Sequence, residues 1–175
     1  MELGLIHIYC GDGKGKTTAA MGLAVRCAGR DKKVLITQFL KDNTSGEISV
    51  LENIKNITIV KGDPVTKFFK FMSPEEQRIT KGEHSKRFKS ITHKAVSDNY
   101  DILIMDEIIA GINFDLIELE DVIEFLKNKP QGLEVVMTGR NPNEKLIAMS
   151  DYVSEIKAVK HPYEKGIGSR IGIEK

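Results

Sequence analysis

Apolar positions along the chain follow two periods that alternate from the N-terminus onward. Short apolar runs rich in Ile, Val and Leu occur at Leu3–Tyr9, Val34–Phe39, Ile57–Val60, Ile102–Met105, Leu133–Met137 and Tyr152–Ile156. Runs of this length, bounded by Gly, Pro, Asn or Asp, predict β-strands. The segments between them have helical spacing. Ala20, Leu23, Ala24 and Cys27 predict a helix from Lys16 to about Ala28, ended by Gly29. Gly46–Ile54 predicts a short helix. Ser73-Pro74-Glu75-Glu76 supplies a cap, a proline suited to the first helical position and a capping box, so a helix should run to about Ser97. Its sparse apolar residues, Ile79, Phe88, Ile91 and Ala95, predict a single buried face. Leu119, Val122, Ile123 and Leu126 predict a helix over Glu118–Lys127 that stops before Pro130, and Asn143–Met149 predicts another. The tail from Lys157 has no clear period.

Alternating strands and helices with apolar strands predict a parallel sheet covered by helices on both faces, an α/β fold. At 175 residues, with no internal repeat or linker, residues 1–175 read as one domain. The net charge of +1 gives no bulk field for nucleic acid or an anionic membrane, so any anion site must be local. No apolar stretch suffices to span a bilayer, and Met1–Tyr9 has no basic region followed by a cleavable apolar segment. Two cysteines, Cys10 and Cys27, make no disulfide framework, and a reducing cytoplasm is expected. Cys10 lies where a helix N-terminus could lower a thiol pKa, but space-filling at the end of a buried strand is the expected role. His7 should alternate into the core. His84 and His93, on the charged helix, should be solvated.

Ligands of such sheets bind beyond the carboxyl ends of the strands. Chemistry-bearing residues converge there: the loop after the first strand, Gln38, Asp106-Glu107 and Thr138-Gly139-Arg140. The loop reads Cys10-Gly11-Asp12-Gly13-Lys14-Gly15-Lys16-Thr17-Thr18. Its backbone N–H groups can cradle phosphate, Lys16 can reach a phosphate, and the Thr17 hydroxyl can serve Mg²⁺. The generic phosphate loop has a glycine where this chain has Cys10. Asp106-Glu107, closing an apolar strand, reads as the second nucleotide motif, either acid holding Mg²⁺ opposite Thr17. The chain is therefore expected to bind a nucleoside triphosphate.

The segment Gly11–Ala20, without a glycine at position 10, resembles the ATP site of the ATP:corrinoid adenosyltransferases. The likeness continues through Val34–Lys41, Leu103–Ile108, Val136–Pro142, Val159–Tyr163, Gly166-Ile167 and Arg170–Glu174. The resemblance implies a three-layer phosphate-loop NTPase-like (RecA-like) fold. It implies attack of corrinoid Co(I) on the 5′ carbon of ATP with loss of triphosphate, the ATP lying reversed relative to nucleotide hydrolases. It assigns Gly11, Asp12, Gly13, Lys14, Gly15, Lys16, Thr17, Thr18, Arg140 and His161 to ATP. Mg²⁺ falls to Thr17, Asp106 and Glu107, and the reaction to Lys16 and Glu107. It further implies a homodimer and a reduced flavoprotein as electron donor. The family shields the lower face of the cobalt with aromatic side chains, often including tryptophan. This chain has no tryptophan, which leaves Phe68, Phe69 and Phe71 as candidates. Lys157, Lys160, Lys165 and Arg170 are expected to form a basic rim. The competing expectation is a phosphate-loop ATPase or kinase that cleaves the β–γ bond.

Overall fold

A single sheet of six parallel strands organises the computed structural model, which describes residues 3–174 apart from Asn43, Thr66 and Phe68. The strands are β1 (Ile6–Cys10), β2 (Val34–Gln38), β3 (Ile57–Val60), β4 (Ile102–Asp106), β5 (Glu134–Thr138) and β6 (Tyr152–Glu155), in the spatial order β3-β2-β4-β5-β1-β6. Every pairing is parallel. Each strand therefore needs a crossover, and the helices that supply it cover both faces.

Alternation along the strands divides the core in two. Val34, Ile36, Ile102, Ile104 and Val136 meet Ala20, Met21 and Ala24 of α1 (Lys16–Ala28) and Leu51 of α2 (Gly46–Leu51). Leu35, Leu103, Met105, Val135 and Met137 face the opposite layer. That layer holds α3 (Pro74–Ser97), α4 (Ile108–Asn113), α5 (Leu119–Asn128) and α6 (Glu144–Met149). β2 and β4 are buried along their whole length, as apolar strands in the middle of a three-layer fold should be. The chain is thus an α/β protein of the phosphate-loop NTPase type. β6 is an exposed edge.

The expected elements are present with adjusted limits. β1 begins at Ile6 rather than Leu3, which is 63% exposed. β4 and β5 extend by one residue to include Asp106 and Thr138, so both polar side chains belong to the strand ends. The capping box at Ser73 and Glu76 forms as its residues require. Glu76 is held at a pKa of about 2, first by the Ser73 N–H and then by Lys67.

Two expectations need correction. The buried stripe of α3 runs through Thr80, His84, Arg87, Phe88, Ile91 and Ala95. Ile79 lies about 100° off that stripe and is 47% exposed. His84, expected to be solvated, is completely buried, whereas His93 is exposed as expected. Hydrogen bonding substitutes for water around His84, as a buried polar ring demands. The helix α4 also went unanticipated. Glu107 turns the chain through a left-handed conformation, φ 59°, and the next apolar residues then close a short helix against β5. His7 is largely buried and pairs with Glu134 at the far end of the sheet from the strand carboxyl ends.

Candidate active site

The loop between β1 and α1 obtains its glycines from two separate constraints. A Cβ at Gly11 would lie 2.3 Å from the Ile156 carbonyl oxygen, and one at Gly13 would lie 2.8 Å from the same atom. These glycines admit the segment after β6, which is strapped along the loop. The Ile156 N–H donates to Cys10 O at 2.8 Å, and the Gly13 N–H to Ile156 O at 2.8 Å. Gly15 is different: its φ is 119° and open space surrounds the Cβ position. It turns the chain into α1 at a point where nothing crowds the loop.

Charge is concentrated just inside this turn. Lys16 is buried, and its ammonium donates to Gly13 O at 2.9 Å. Burial holds its pKa below the ordinary lysine value, and the neighbouring Arg140 charge pushes in the same direction. A polyanion between these two cations would relieve both effects. Arg140 is itself carried on a restrained turn: Asn113 Nδ2 donates to Arg140 O at 2.9 Å and to Asn141 O at 3.2 Å.

Asp106 is fully buried at the end of β4, and three neighbouring side chains donate to its carboxylate. Thr17 Oγ1 lies 3.0 Å from Oδ1, Gln38 Nε2 lies 2.9 Å from Oδ2, and Thr138 Oγ1 lies 2.6 Å from Oδ1. Asp106, rather than Glu107, meets Thr17. Glu107 faces the cavity instead, while its backbone N–H donates to Thr138 Oγ1 at 2.8 Å. Burial raises the Glu107 carboxyl pKa, and the adjacent Asp106 charge adds to the rise. This oxygen-only set suits Mg²⁺, which keeps waters and takes phosphate oxygens beside one or two protein groups. Among the described residues no cluster of three His, Cys, Asp or Glu offers a closed metal cage.

Asp12, Gly13, Lys14, Gly15, Lys16, Thr17 and Thr18 line one cavity of about 1010 Å³ together with Glu107, Arg140 and His161. Gly11 is not on that wall; its place is under the strap. Asp12 is on the wall, yet its carboxylate also accepts from the Ala158 N–H at 3.0 Å and fastens the strap. His161 Nδ1 accepts from the Tyr163 N–H at 3.2 Å and caps the turn that begins at Pro162. None of Lys157, Lys160, Lys165 and Arg170 lines the cavity, so the expected basic rim does not form there. Lys157 pairs with Glu155 and Arg170 with Glu174. Burial raises the Cys10 thiol pKa, which suits space-filling rather than a thiolate.

A second cavity of about 520 Å³ lies beside the first, and Lys41 borders both. Its apolar walls are Leu40, Val65, Phe69 and Phe114. The Phe69 and Phe114 rings stand 5.8 Å apart. Of the two expected phenylalanines among the described residues, Phe69 lines this cavity and Phe71 does not. Phe71 is 63% exposed with the Lys70 ammonium 4.8 Å from its ring centroid. Phe68 lies outside the described residues. Lys41 entered the sequence reading only as the end of the Val34–Lys41 likeness, with no role, and Asn113 and Phe114 escaped it. Lys41 lies just beyond the β2 strand end, whereas Asn113 ends and Phe114 follows a helix that the apolar pattern does not reveal.

The chain matches the family described as ATP:corrinoid adenosyltransferase BtuR/CobO/CobP over residues 2–174. It is 31% identical to the corrinoid adenosyltransferase of Escherichia coli K12, across 99% of this chain and 86% of that protein. The same values hold for the corrinoid adenosyltransferase CobA of Salmonella typhimurium LT2. A corrinoid adenosyltransferase of Pseudomonas aeruginosa is 28% identical, across 99% of this chain and 84% of that protein.

Proposed function

The chain belongs to the ATP:corrinoid adenosyltransferase family, and from that membership we propose that its two adjoining cavities seat ATP and a corrinoid for adenosyl transfer. The enzyme is a transferase. The observation that carries the reading is the adjacency itself. A charged cavity lined by the loop after β1, with Lys16 and Arg140, shares Lys41 with a cavity walled by two aromatic rings.

In the reaction, the electron pair of substrate Co(I) forms the bond to the 5′ carbon of the ribose. The C5′–O bond breaks, and triphosphate leaves with its electrons. No proton has to move, so the chain needs no general base. Its work is to align the two substrates and to stabilise charge on the leaving group. The loop N–H groups, Lys16 and Arg140 face the triphosphate, and Lys14, Thr18 and His161 complete that wall. Thr17 with Asp106 behind it, and Glu107 beside it, would hold Mg²⁺, which supplies further neutralisation of the phosphates. Phe69 and Phe114 offer an apolar wall that would keep an axial ligand from the lower face of the cobalt and so favour its reduction. A β–γ cleaving ATPase or kinase is not favoured, since its relatives would not be corrinoid enzymes over this whole length.

An anaerobic assay with ATP, Mg²⁺ and chemically reduced cobalamin tests the proposal. A photolabile alkylcobalamin with one triphosphate per turnover supports it. ADP and phosphate without a cobalt–carbon bond would sink it. We further place the enzyme in the cytoplasm as a homodimer served by a reduced flavoprotein. Sedimentation of the purified chain and reconstitution with a flavodoxin-type donor test the last two assignments.

A further inference from the structure

Two buried polar groups of α3 stand outside the chemistry above. His84 Nδ1 donates to Thr80 O at 2.9 Å, because a carbonyl can only accept. Nε2 is then the acceptor for the Leu40 N–H at 3.2 Å. One helical turn on, Arg87 Nη1 donates to Gln38 O at 2.9 Å. The Arg87 guanidinium lies 5.8 Å from the Phe39 ring centroid. A Cβ at Gly62 would come within 1.5 Å of its Cζ, so the loop after β3 rests directly on it. Asp63 and Glu83 are the acids whose charges reach it. Together α3 holds three consecutive residues where the chain leaves β2: the carbonyl of Gln38, the ring of Phe39 and the N–H of Leu40.

Those residues connect the two cavities. The Gln38 side chain donates to Asp106, the acid behind Thr17. Leu40, at φ 53°, lines the apolar cavity, and Lys41 lines both. Packing alone does not call for a guanidinium here, because an apolar side chain of similar size often serves stability as well as a buried charge. Its particular capacity is to reach Gln38, Phe39 and the backbone at Gly62 at once.

We propose that His84 and Arg87 are positioning residues for the transfer, fixing residues 38–41 so that the metal-side acid and the wall of the corrinoid cavity keep a set separation. The inference rests on the adenosyl-transfer reading, and it assigns neither residue a contact with substrate. Misplacement of about 1 Å between reacting groups can lower a rate about a hundredfold, so α3 can matter without touching either ligand.

The test measures kcat and both KM values per folded enzyme, with far-UV circular dichroism and thermal melts alongside. Arg87→Met should lower kcat about tenfold to a hundredfold while KM for ATP stays within about threefold, since the loop and Lys16 are untouched. Arg87→Lys should recover part of the loss. His84→Gln, whose Oε1 can accept from Leu40, should stay near wild type, and His84→Leu should not. Gln38→Leu keeps the backbone carbonyl that Arg87 holds but frees it from Asp106, so it should shrink the further loss caused by Arg87→Met, because the two share part of one path. Normal kcat in folded Arg87→Met, or losses that multiply fully with Gln38→Leu, would overturn the inference. If Arg87→Met does not fold, the His84→Gln and His84→Leu pair decides: equal kcat with different melting temperatures means a structural role only. A wild-type enzyme that forms no adenosylcorrinoid would instead remove the reading on which the inference rests.

Discussion

The charged cavity and the apolar cavity are neighbours, but they are built by different means. The first is made at strand ends. Its loop follows β1, Asp106 closes β4, Thr138 closes β5, and the polar atoms are tied to one another by short hydrogen bonds. The second is made by connections: the segment after β2, the loop after β3, the turn at Phe69 and the residue that follows α4. Parallel topology alone fixes the relative positions of strand ends, so the charged site is rigid wherever the sheet is. Connections take their shape from side-chain packing, which leaves the apolar wall free to vary.

The largest effect should come from the rigid side. Lys16→Ala removes the buried ammonium that on the proposed function would face the leaving triphosphate, and turnover should fall about a hundredfold or more. Triphosphate release measured at saturating ATP reports it. Because Lys16 is not part of the hydrophobic clusters, the thermal melt should change little by comparison. Near-normal triphosphate release would show that the charged cavity is not where the leaving group sits.

The junction between the cavities gives the next effect. His84 has its pKa pushed down from 6.5 to about 4, by burial first and the nearby Arg87 charge second. The folded state disfavours the proton that the unfolded chain accepts. Stability is therefore fully present above about pH 6.5 and is lost as pH falls towards about 4, by roughly 2–3 kcal/mol. Urea unfolding at several pH values will show this. The comparison is with His84→Gln, which cannot titrate and should be flatter between pH 6.5 and 4. Parallel curves would mean that the ring is accessible to protons without cost.

The same division explains what could be read without coordinates. The loop, Asp106 and Arg140 were legible because strand periodicity puts them at one end of a parallel sheet whatever the helices do. The capping box at Ser73 was legible because its four residues satisfy one another locally. His84 was misread because helical patterning assumes that a polar residue seeks water, whereas here Thr80 O and Leu40 N replace it. The Phe69–Phe114 pair could not be found because the partners are 45 positions apart and meet only after Glu107 redirects the chain into α4.

A smaller effect should follow on the apolar side. Phe69→Ala and Phe114→Ala should lower activity about tenfold with Co(II) corrinoid and a reductant, and less with pre-reduced Co(I), because removing an apolar wall mainly readmits the axial ligand. Phe71→Ala, at an exposed position, should change either rate little. Equal losses with both oxidation states would show that the rings only bind the ring system. A strong loss at Phe71 would move the lower-face wall to the segment next to it.

The smallest effect joins the two constructions. Asn113 belongs to α4, one residue before Phe114, yet its amide donates to the carbonyls of Arg140 and Asn141 on the charged side. Asn113→Ala frees that turn without removing any side chain that lines the charged cavity. Loss of two hydrogen bonds at an exposed site costs about 1 kcal/mol each at most. The expected result is a two- to fivefold rise in KM for ATP, on the order of 1 kcal/mol or less, with kcat nearly unchanged. Asn113→Asp keeps the size but offers no donor, so it should behave like alanine. A fall in kcat as large as that of Phe114→Ala would instead mean that α4 moves as one body. The apolar wall would then be as firmly tied to the strand ends as the phosphate loop is.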